Sequence, residues 1–218
     1  MDARHNKQEP MRPGLVLVTP RIEDAAQFAP MLSDACNAAD ISAVIVRLVS
    51  SAEDKFLEGI AQLAPVIQGS GAALLIEGHA RLVTSAKADG VHLVGVEPVA
   101  AARELFNDRI VGVGALPTRH DAMTAGESGA DYVMFGEPDE TGIRPTMPSL
   151  TERVAWWSDV FVIPCVAYAG HMDEIAQLVR AGADFVALGE EVVWREAGNS
   201  AAAVAAAVDG LEFFEPAE

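Results

Sequence analysis

The sequence predicts a closed, eight-stranded parallel (β/α)8 barrel, the TIM barrel, folded as a single α/β domain. Three observations predict it. Eight short, nearly all-apolar runs are each separated by a helix-like stretch, which is the pattern of strands buried on both faces of a parallel sheet. One unit recurs, in that Lys87-Ala-Asp-Gly-Val-His-Leu93, Gly129-Ala-Asp-Tyr-Val-Met-Phe-Gly136 and Gly182-Ala-Asp-Phe-Val-Ala-Leu-Gly189 each follow a helical pattern and open an apolar run. The chain has 218 residues, 50% of them apolar, enough for one core burying roughly 70% of the unfolded surface and near the small limit of this fold. No Gly-x-Gly-x-x-Gly follows a strand and no Gly-Lys-Ser/Thr occurs, so open nucleotide-binding sheets lack their fingerprints.

In chain order, Met1 to Pro13 is polar and reads as a loose arm, with the barrel over 14–213 and a short tail over 214–218. Gly14 to Pro20 is a β-branched run ended by proline, a buried first strand. Ile22 to Ala39 has apolar residues at helical spacing, and Ile41 to Val49 is the second strand, with Arg47 near its end able to point into the mouth. Ala52 to Gln68 is a helix closed by the turn Gly69-Ser-Gly71, and Ala72 to Glu77 is the third strand, closed by Gly78. His79 to Lys87 reads as a helix, Gly90 to Val94 as the fourth strand, and Pro98 to Phe106 as a helix with proline at a tolerated first-turn position. Arg109 to Val113 is the fifth strand, and Thr118 to Ser128 its helix with Thr118 as N-cap.

Tyr132 to Phe135, the sixth strand, is followed by the longest irregular connection, Glu137 to Ser149, which carries Pro138, Pro145, Pro148, Gly142 and Arg144. A loop of that length in a compact domain is expected to be a lid or a binding loop. Leu150 to Ser158 is helical, and of the adjacent Trp156 and Trp157 one belongs in the core and the other covers it or meets a second subunit. Phe161 to Tyr168 is the seventh strand, His171 to Arg180 its helix, Phe185 to Leu188 the eighth strand and Ala197 to Val208 an alanine-rich last helix. Gly129 and Gly182 stand where a helix needs a left-handed residue to stop. Gly136 and Gly189 close strands at the end where βα loops begin, and that end is where function is sought.

Charge and cysteine content narrow the function classes. Against 32 Asp and Glu there are 15 Lys and Arg, a formal charge of −17, so no basic face is available for nucleic acid. The same acidity opposes anionic ligands at long range, although a local site can override it. Cys36 and Cys165 are too few for a disulfide framework or a metal knuckle, which suits a reduced, cytoplasmic protein. No run approaches the ~20 apolar residues of a membrane span, and residues 1–13 contain no apolar leader segment.

With these motifs in hand the chain resembles a known family. Ala88-Asp-Gly-Val-His-Leu93, Gly129-Ala-Asp-Tyr-Val-Met-Phe-Gly136, Val166-Ala-Tyr-Ala-Gly170 and Gly182-Ala-Asp-Phe-Val-Ala-Leu-Gly189 fall in the order and spacing of the thiamine-phosphate synthase and thiazole tautomerase family, over roughly Leu15 to Val193. The resemblance implies coupling of hydroxymethyl-pyrimidine diphosphate with thiazole phosphate and release of pyrophosphate, with Mg2+ as cofactor and a phosphorylated heterocycle as partner. Such chemistry needs cations on the departing pyrophosphate, carboxylates for the metal and backbone N–H groups for the thiazole phosphate.

Carried over residue by residue, the family's Gln-Leu-Arg-x-Lys becomes Ile45-Val-Arg-Leu-Val49, which keeps Arg47 and has Val49 for the lysine. Its Asn-Asp-Arg becomes Glu77-Gly78-His79, so Glu77 replaces the asparagine and Gly78 a metal-binding aspartate. Glu97 stands where Gly-Gln-x-Asp has its aspartate, and is the candidate metal carboxylate beside Glu77. Gly114-Ala-Leu-Pro117 replaces Ser-Thr-His, with His120 three residues on reading as a solvated first-turn side chain. Arg144 stands in for the lysine of Pro-Thr-x-Thr-Lys, accompanied by Asp139 and Glu140. In the phosphate cup, Gly-Gly becomes Ala169-Gly170, and the small serine after the eighth strand becomes Glu190, next to Gly189. A carboxylate aimed into a dianion's seat is costly, so either Glu190 turns away or the ligand is not a phosphate.

His92 in its apolar strand and Cys165 read as core, His171 beside Gly170 and Tyr168 at a strand mouth as candidates to meet a ligand. Two readings follow: a synthase of thiamine biosynthesis, and a divergent relative that binds another small molecule or serves as a non-catalytic partner. The Trp156-Trp157 pair and acidic outer helices are compatible with a homodimer.

Overall fold

In a computed structural model that describes residues 12–50, 52–139, 141–195 and 198–211, eight parallel strands close on themselves in sequence order, β1 pairing with both β2 and β8. They are β1 Gly14–Ile22, β2 Ile41–Leu48, β3 Ala73–Glu77, β4 Gly90–Val94, β5 Ile110–Gly114, β6 Tyr132–Phe135, β7 Cys165–Ala169 and β8 Phe185–Leu188. The helices are α1 Ala25–Cys36, α2 Glu53–Gly69, α3 Val99–Leu105, α4 Arg119–Glu127, α5 Met147–Val160, α6 Ile175–Arg180 and α7 Ser200–Leu211. The barrel expected over 14–213 is therefore seen from Gly14 to Leu211; most of the arm and all of the tail lie outside the described residues.

Alternation along each strand divides the core into two layers. Val16, Val18, Ile45, Leu75, Tyr132, Met134, Val166, Tyr168 and Ala187 fill the barrel interior. Their neighbours, such as Leu15, Leu17, Val44, Leu74 and Val186, pack outward against the helices. This is the period of two that a strand buried on both faces imposes.

The thrice-repeated unit has a structural meaning. Asp89, Asp131 and Asp184 each accept, through Oδ2 at 2.8 Å, the amide of Leu74, Val111 and Cys165 respectively. Each also donates its own amide back to the carbonyl of that same residue. One aspartate thus pairs the entry of each of β3, β5 and β7 with the loop ahead of the next strand. All three lie at the barrel face opposite the expected ligand end, where a recurring residue reads as stability. Gly129 and Gly182 adopt φ of +97° and +93° at the helix ends just before, as the sequence requires.

Several element boundaries differ from the sequence reading, and four have a clear local cause or change the type of element. β1 runs through Pro20 to Ile22, because a register irregularity between Val18 and Arg21 spares the missing amide a ladder bond. The helix expected over His79 to Lys87 is only a 3-10 turn, Ala80–Leu82, followed by turns that end at Lys87 with φ +53°. β7 starts at Cys165 rather than Phe161, after Pro164. The helix expected from His171 is a 3-10 turn, Met172–Glu174, leading into α6. Thr118 caps α4 in a full capping box with Asp121. Trp157 is fully buried and donates Nε1–H to the Ile163 carbonyl at 2.7 Å, while Trp156 lies half-buried beneath the Arg119 guanidinium.

Candidate active site

The ends of β1 and β2 fix the first cation. Thr19, fully buried, accepts the amide of Arg47 on Oγ1 at 3.0 Å, and its carbonyl accepts Arg47 Nε at 2.6 Å. The guanidinium is thereby aimed across the mouth, where its Nη2 stands 4.0 Å from Glu190 Oε2. Glu190 is the first residue of a single π-helical turn, Glu190–Trp194, that follows β8. The Glu190 carboxylate is thus turned toward Arg47.

Around the ends of β6, β7 and β8, where the sequence leads one to expect an anion cup, the polar groups are engaged from within the chain. Gly170 donates its amide to Glu174 Oε2 at 2.8 Å. Arg144 grips the same carboxylate through Nη1 to Oε1 at 3.1 Å and Nη2 to Oε2 at 2.9 Å, a bidentate fork. Its Nε reaches the Gly136 carbonyl at 3.0 Å and Nη2 also the Tyr168 carbonyl at 2.9 Å. The guanidinium lies where a Cβ on residue 170 would be, so the glycine there makes room for arginine. Burial by itself pushes the Glu174 carboxyl up, but the Arg144 hydrogen bonds, the Gly170 amide and the Arg144 charge outweigh it and hold the pKa below the usual carboxylate value.

The second cup glycine is filled in the same manner. The Tyr168 hydroxyl and ring edge occupy the space that a Cβ on Gly189 would take. Tyr168 is 4% exposed, and burial raises its pKa, against the pull of Arg47, the Glu190 amide and Arg144. It remains a phenol whose ring also faces the Arg144 guanidinium at 5.3 Å.

On the opposite side of the mouth, His92 Nδ1 lies 2.8 Å from the Tyr132 hydroxyl, and His92 Nε2 lies 3.6 Å from Glu137 Oε1. Glu77 ends β3 in register with His92. Glu97 is exposed, as are His120 and His171. Among the described residues no three His, Cys, Asp or Glu side chains gather as a metal site. Mg2+ in phosphate-handling enzymes is commonly held by one or two carboxylates plus the ligand's own phosphate, so the magnesium expectation rests on Glu77 and Glu97 alone. Cys165 is buried, and burial pushes its thiol up to about 12, so it packs rather than reacts.

In the connection after β6, Asp139 Oδ1 accepts from Thr141 N at 2.8 Å, Thr141 Oγ1 at 2.6 Å and Ile143 N at 2.9 Å. Asp139 thus holds the loop in shape, and Arg144 locks the loop's far end onto β6 and β7. Residues missed in the sequence are Thr19, Glu174 and Glu137. Glu174 was legible as an acid four positions beyond a cup glycine, at a helix start where unpaired amides attract negative charge. Glu137 follows a strand-closing glycine at the mouth, which is the same positional signal that singled out Glu190.

The class defined by these elements is a (β/α)8 barrel with strand-end glycines at its C-terminal mouth. The chain belongs to the thiamine monophosphate synthase family, whose model matches residues 15–192. A thiamine-phosphate synthase of Rhodospirillum centenum is 40% identical over 196 residues, 88% of this chain and 94% of that protein. One of Hyphomonas neptunium is 37% identical over 206 residues, 89% of this chain and 92% of that protein. Among solved structures, thiamine phosphate pyrophosphorylase from Pyrococcus furiosus superposes with a TM-score of 0.76 at 19% identity, over 93% of this chain and 97% of that one. At that identity the likeness speaks for the fold.

Proposed function

We propose that this chain is a member of the thiamine-phosphate synthase family that takes a small, neutral or cationic heterocycle at the barrel mouth in place of a thiazole phosphate. The carrying observation is the Glu174 carboxylate on the Gly170 amide, gripped by Arg144. An anion already occupies that seat, and a second one would meet it in a partly desolvated site at a cost of several kcal/mol. The replacements Val49, Gly78 and Glu190 act in the same direction, removing a cation and a carboxylate and adding a negative charge.

A second reading, the coupling of hydroxymethyl-pyrimidine diphosphate with thiazole phosphate and loss of pyrophosphate, is supported by Arg47 and by the 40% identical relative. In that reaction Arg47 would face the departing pyrophosphate, Glu77 and Glu97 would hold Mg2+, which neutralises the diphosphate, and Glu174 would have to leave Gly170 for the thiazole phosphate. No helix among the described residues is long and apolar enough to cross a membrane. Two free, buried cysteines suit a reducing compartment under either reading.

Calorimetric titration with thiazole phosphate, and with hydroxymethyl-pyrimidine diphosphate plus Mg2+, separates the two, together with an assay for released pyrophosphate. Absence of binding at millimolar ligand and of pyrophosphate release is the expected result. Micromolar binding of both ligands with turnover would establish the coupling instead.

A further inference from the structure

The Tyr132, His92 and Glu137 arrangement is not part of the anion seat, and its geometry is directional. A carboxylate only accepts, so Glu137 at 3.6 Å favours the proton of His92 on Nε2, and Nδ1 then accepts the Tyr132 O–H at 2.8 Å. Tyr132 remains a donor because burial, with the Glu137 and Glu77 carboxylates nearby, raises its pKa well above the ordinary phenol value. Glu137 Oε1 further accepts the Ala115 amide at 3.1 Å, and the absence of a side chain at Gly114 leaves room for that oxygen. Oε1 is thus held from two sides, and Oε2 makes no such bond among the described residues.

Glu137 borders a cavity of about 390 Å3 between the ends of β5 and β6 and the loop that follows, a size in the range of small-molecule sites. Its walls include Leu116, Pro117, Phe135, Pro138 and Ile143. The other charged groups of the lining are committed elsewhere. Arg144 is locked on Glu174, Arg153 donates to the carbonyls of Leu116 at 2.7 Å and Pro117 at 3.0 Å, and Asp139 is held by its own loop through Oδ1. A cavity with apolar walls, bordered by a carboxylate with a spare oxygen, suits a ligand that carries N–H donors and positive charge.

We propose that Glu137 is the recognition group of a binding site for a planar amidinium or protonated amino-heterocycle, with His92 and Tyr132 as positioning residues behind it. The proposal rests on the non-phosphate reading above and names the ligand class and the subsite. Benzamidine serves as the cationic probe, benzamide as its neutral isostere and benzoate as the anion, each titrated into the full chain and followed by calorimetry and amide chemical shifts. Benzamidine is expected to bind more tightly than benzamide, to shift the Ala115 and Glu137 amides, and to lose at least about tenfold in affinity in Glu137→Gln. Glutamine keeps an acceptor for the Ala115 amide. Ile143→Trp, on a side chain 67% exposed and therefore safe for folding, is expected to weaken benzamidine by filling the cavity. Absence of benzamidine binding at millimolar probe, equal or tighter binding of benzoate, or benzamidine binding unchanged in both variants overturns this assignment. None of these outcomes touches the reading under Proposed function, which falls only to thiazole phosphate binding with pyrophosphate release.

Discussion

Glu174 Oε2 sits 2.8 Å from the amide of Gly170, so the chain supplies its own anion to a seat built from backbone N–H and arginine. Truncating it in Glu174→Ala leaves the Arg144 guanidinium, 19% exposed, without its partner, and the expected loss is about 3–5 kcal/mol of stability by urea unfolding. The same variant vacates the Gly170 amide. Inorganic phosphate at millimolar concentration is therefore expected to raise the melting temperature of Glu174→Ala and to leave that of the unaltered chain unchanged. Equal phosphate response in both would remove Glu174 as the occupant that matters.

The Glu174 pair also sets a pH signature. Its carboxyl has a folded pKa below the ordinary glutamate value of 4.5, so above 4.5 both folded and unfolded chains carry the charge and the pair's contribution is complete. As pH falls from 4.5 toward the folded pKa, the unfolded chain takes up the proton first and stability is lost. Glu174→Gln lacks that proton uptake. Unfolding free energy plotted against pH is expected to fall more steeply below 4.5 for the unaltered chain than for Glu174→Gln, and to run parallel between pH 6 and 8, in about the manner linkage requires.

The aspartates at the opposite face give an additive prediction. Asp89→Ala, Asp131→Ala and Asp184→Ala each leave one strand-entry amide without its acceptor, at an expected cost of about 1–2 kcal/mol. The Asp131 variant also loses the bond to Arg103 Nη2, but the aspartate side chain is 51% exposed and the pair adds little. The three cap alternate strands, about 9–10 Å apart, so the triple variant is expected to lose the sum of the single losses to within about 0.5 kcal/mol. A triple loss well short of the sum in denaturant melts would mean that the three bonds act as one unit.

Both thiols are buried, and burial pushes Cys36 up to about 11 and Cys165 up to about 12. At pH 8 the native chain therefore presents almost no thiolate, and a disulfide reagent is expected to label it only as fast as it opens. Rapid stoichiometric labelling in native buffer, matching the rate in urea, would contradict this packing.

Most of the fold was legible because its signals are local and repeated. Apolar runs of strand length, the Gly-Ala-Asp unit and the Thr118 N-cap each act within a few residues, and all were placed. His79 to Lys87 was misread because its composition suits a helix while Gly78 at φ +75° and Lys87 at φ +53° confine the chain to turns. The family's motif positions were legible too, and Arg47, Arg144, Gly170, Gly189 and Glu190 do meet at one mouth. What sequence did not convey was who occupies whom. Arg144 read as a cation awaiting a ligand, and only the folded chain brings Glu174 to it across 30 residues of sequence. Glu137 likewise gains meaning from His92 on β4 and from Ala115 just past β5.

Tyr168 and Gly189 form the tightest test of the filled mouth. The hydroxyl and ring edge of Tyr168 lie where a Cβ on Gly189 would fall, and the fully buried surroundings leave the ring little freedom to retreat. Gly189→Ala is therefore expected to destabilise by about 1–3 kcal/mol, the usual cost of overpacking a close-packed interior. Tyr168→Leu alone costs packing and the bond to the Glu190 amide, but it shortens the side chain and clears the space above residue 189. The double variant is expected to be less destabilised than the sum of the two single losses by at least about 1 kcal/mol, since the clash exists only when both side chains are present. Strict additivity in a double-mutant cycle would show that Tyr168 yields freely, and that the space above Gly189 is open to a ligand after all.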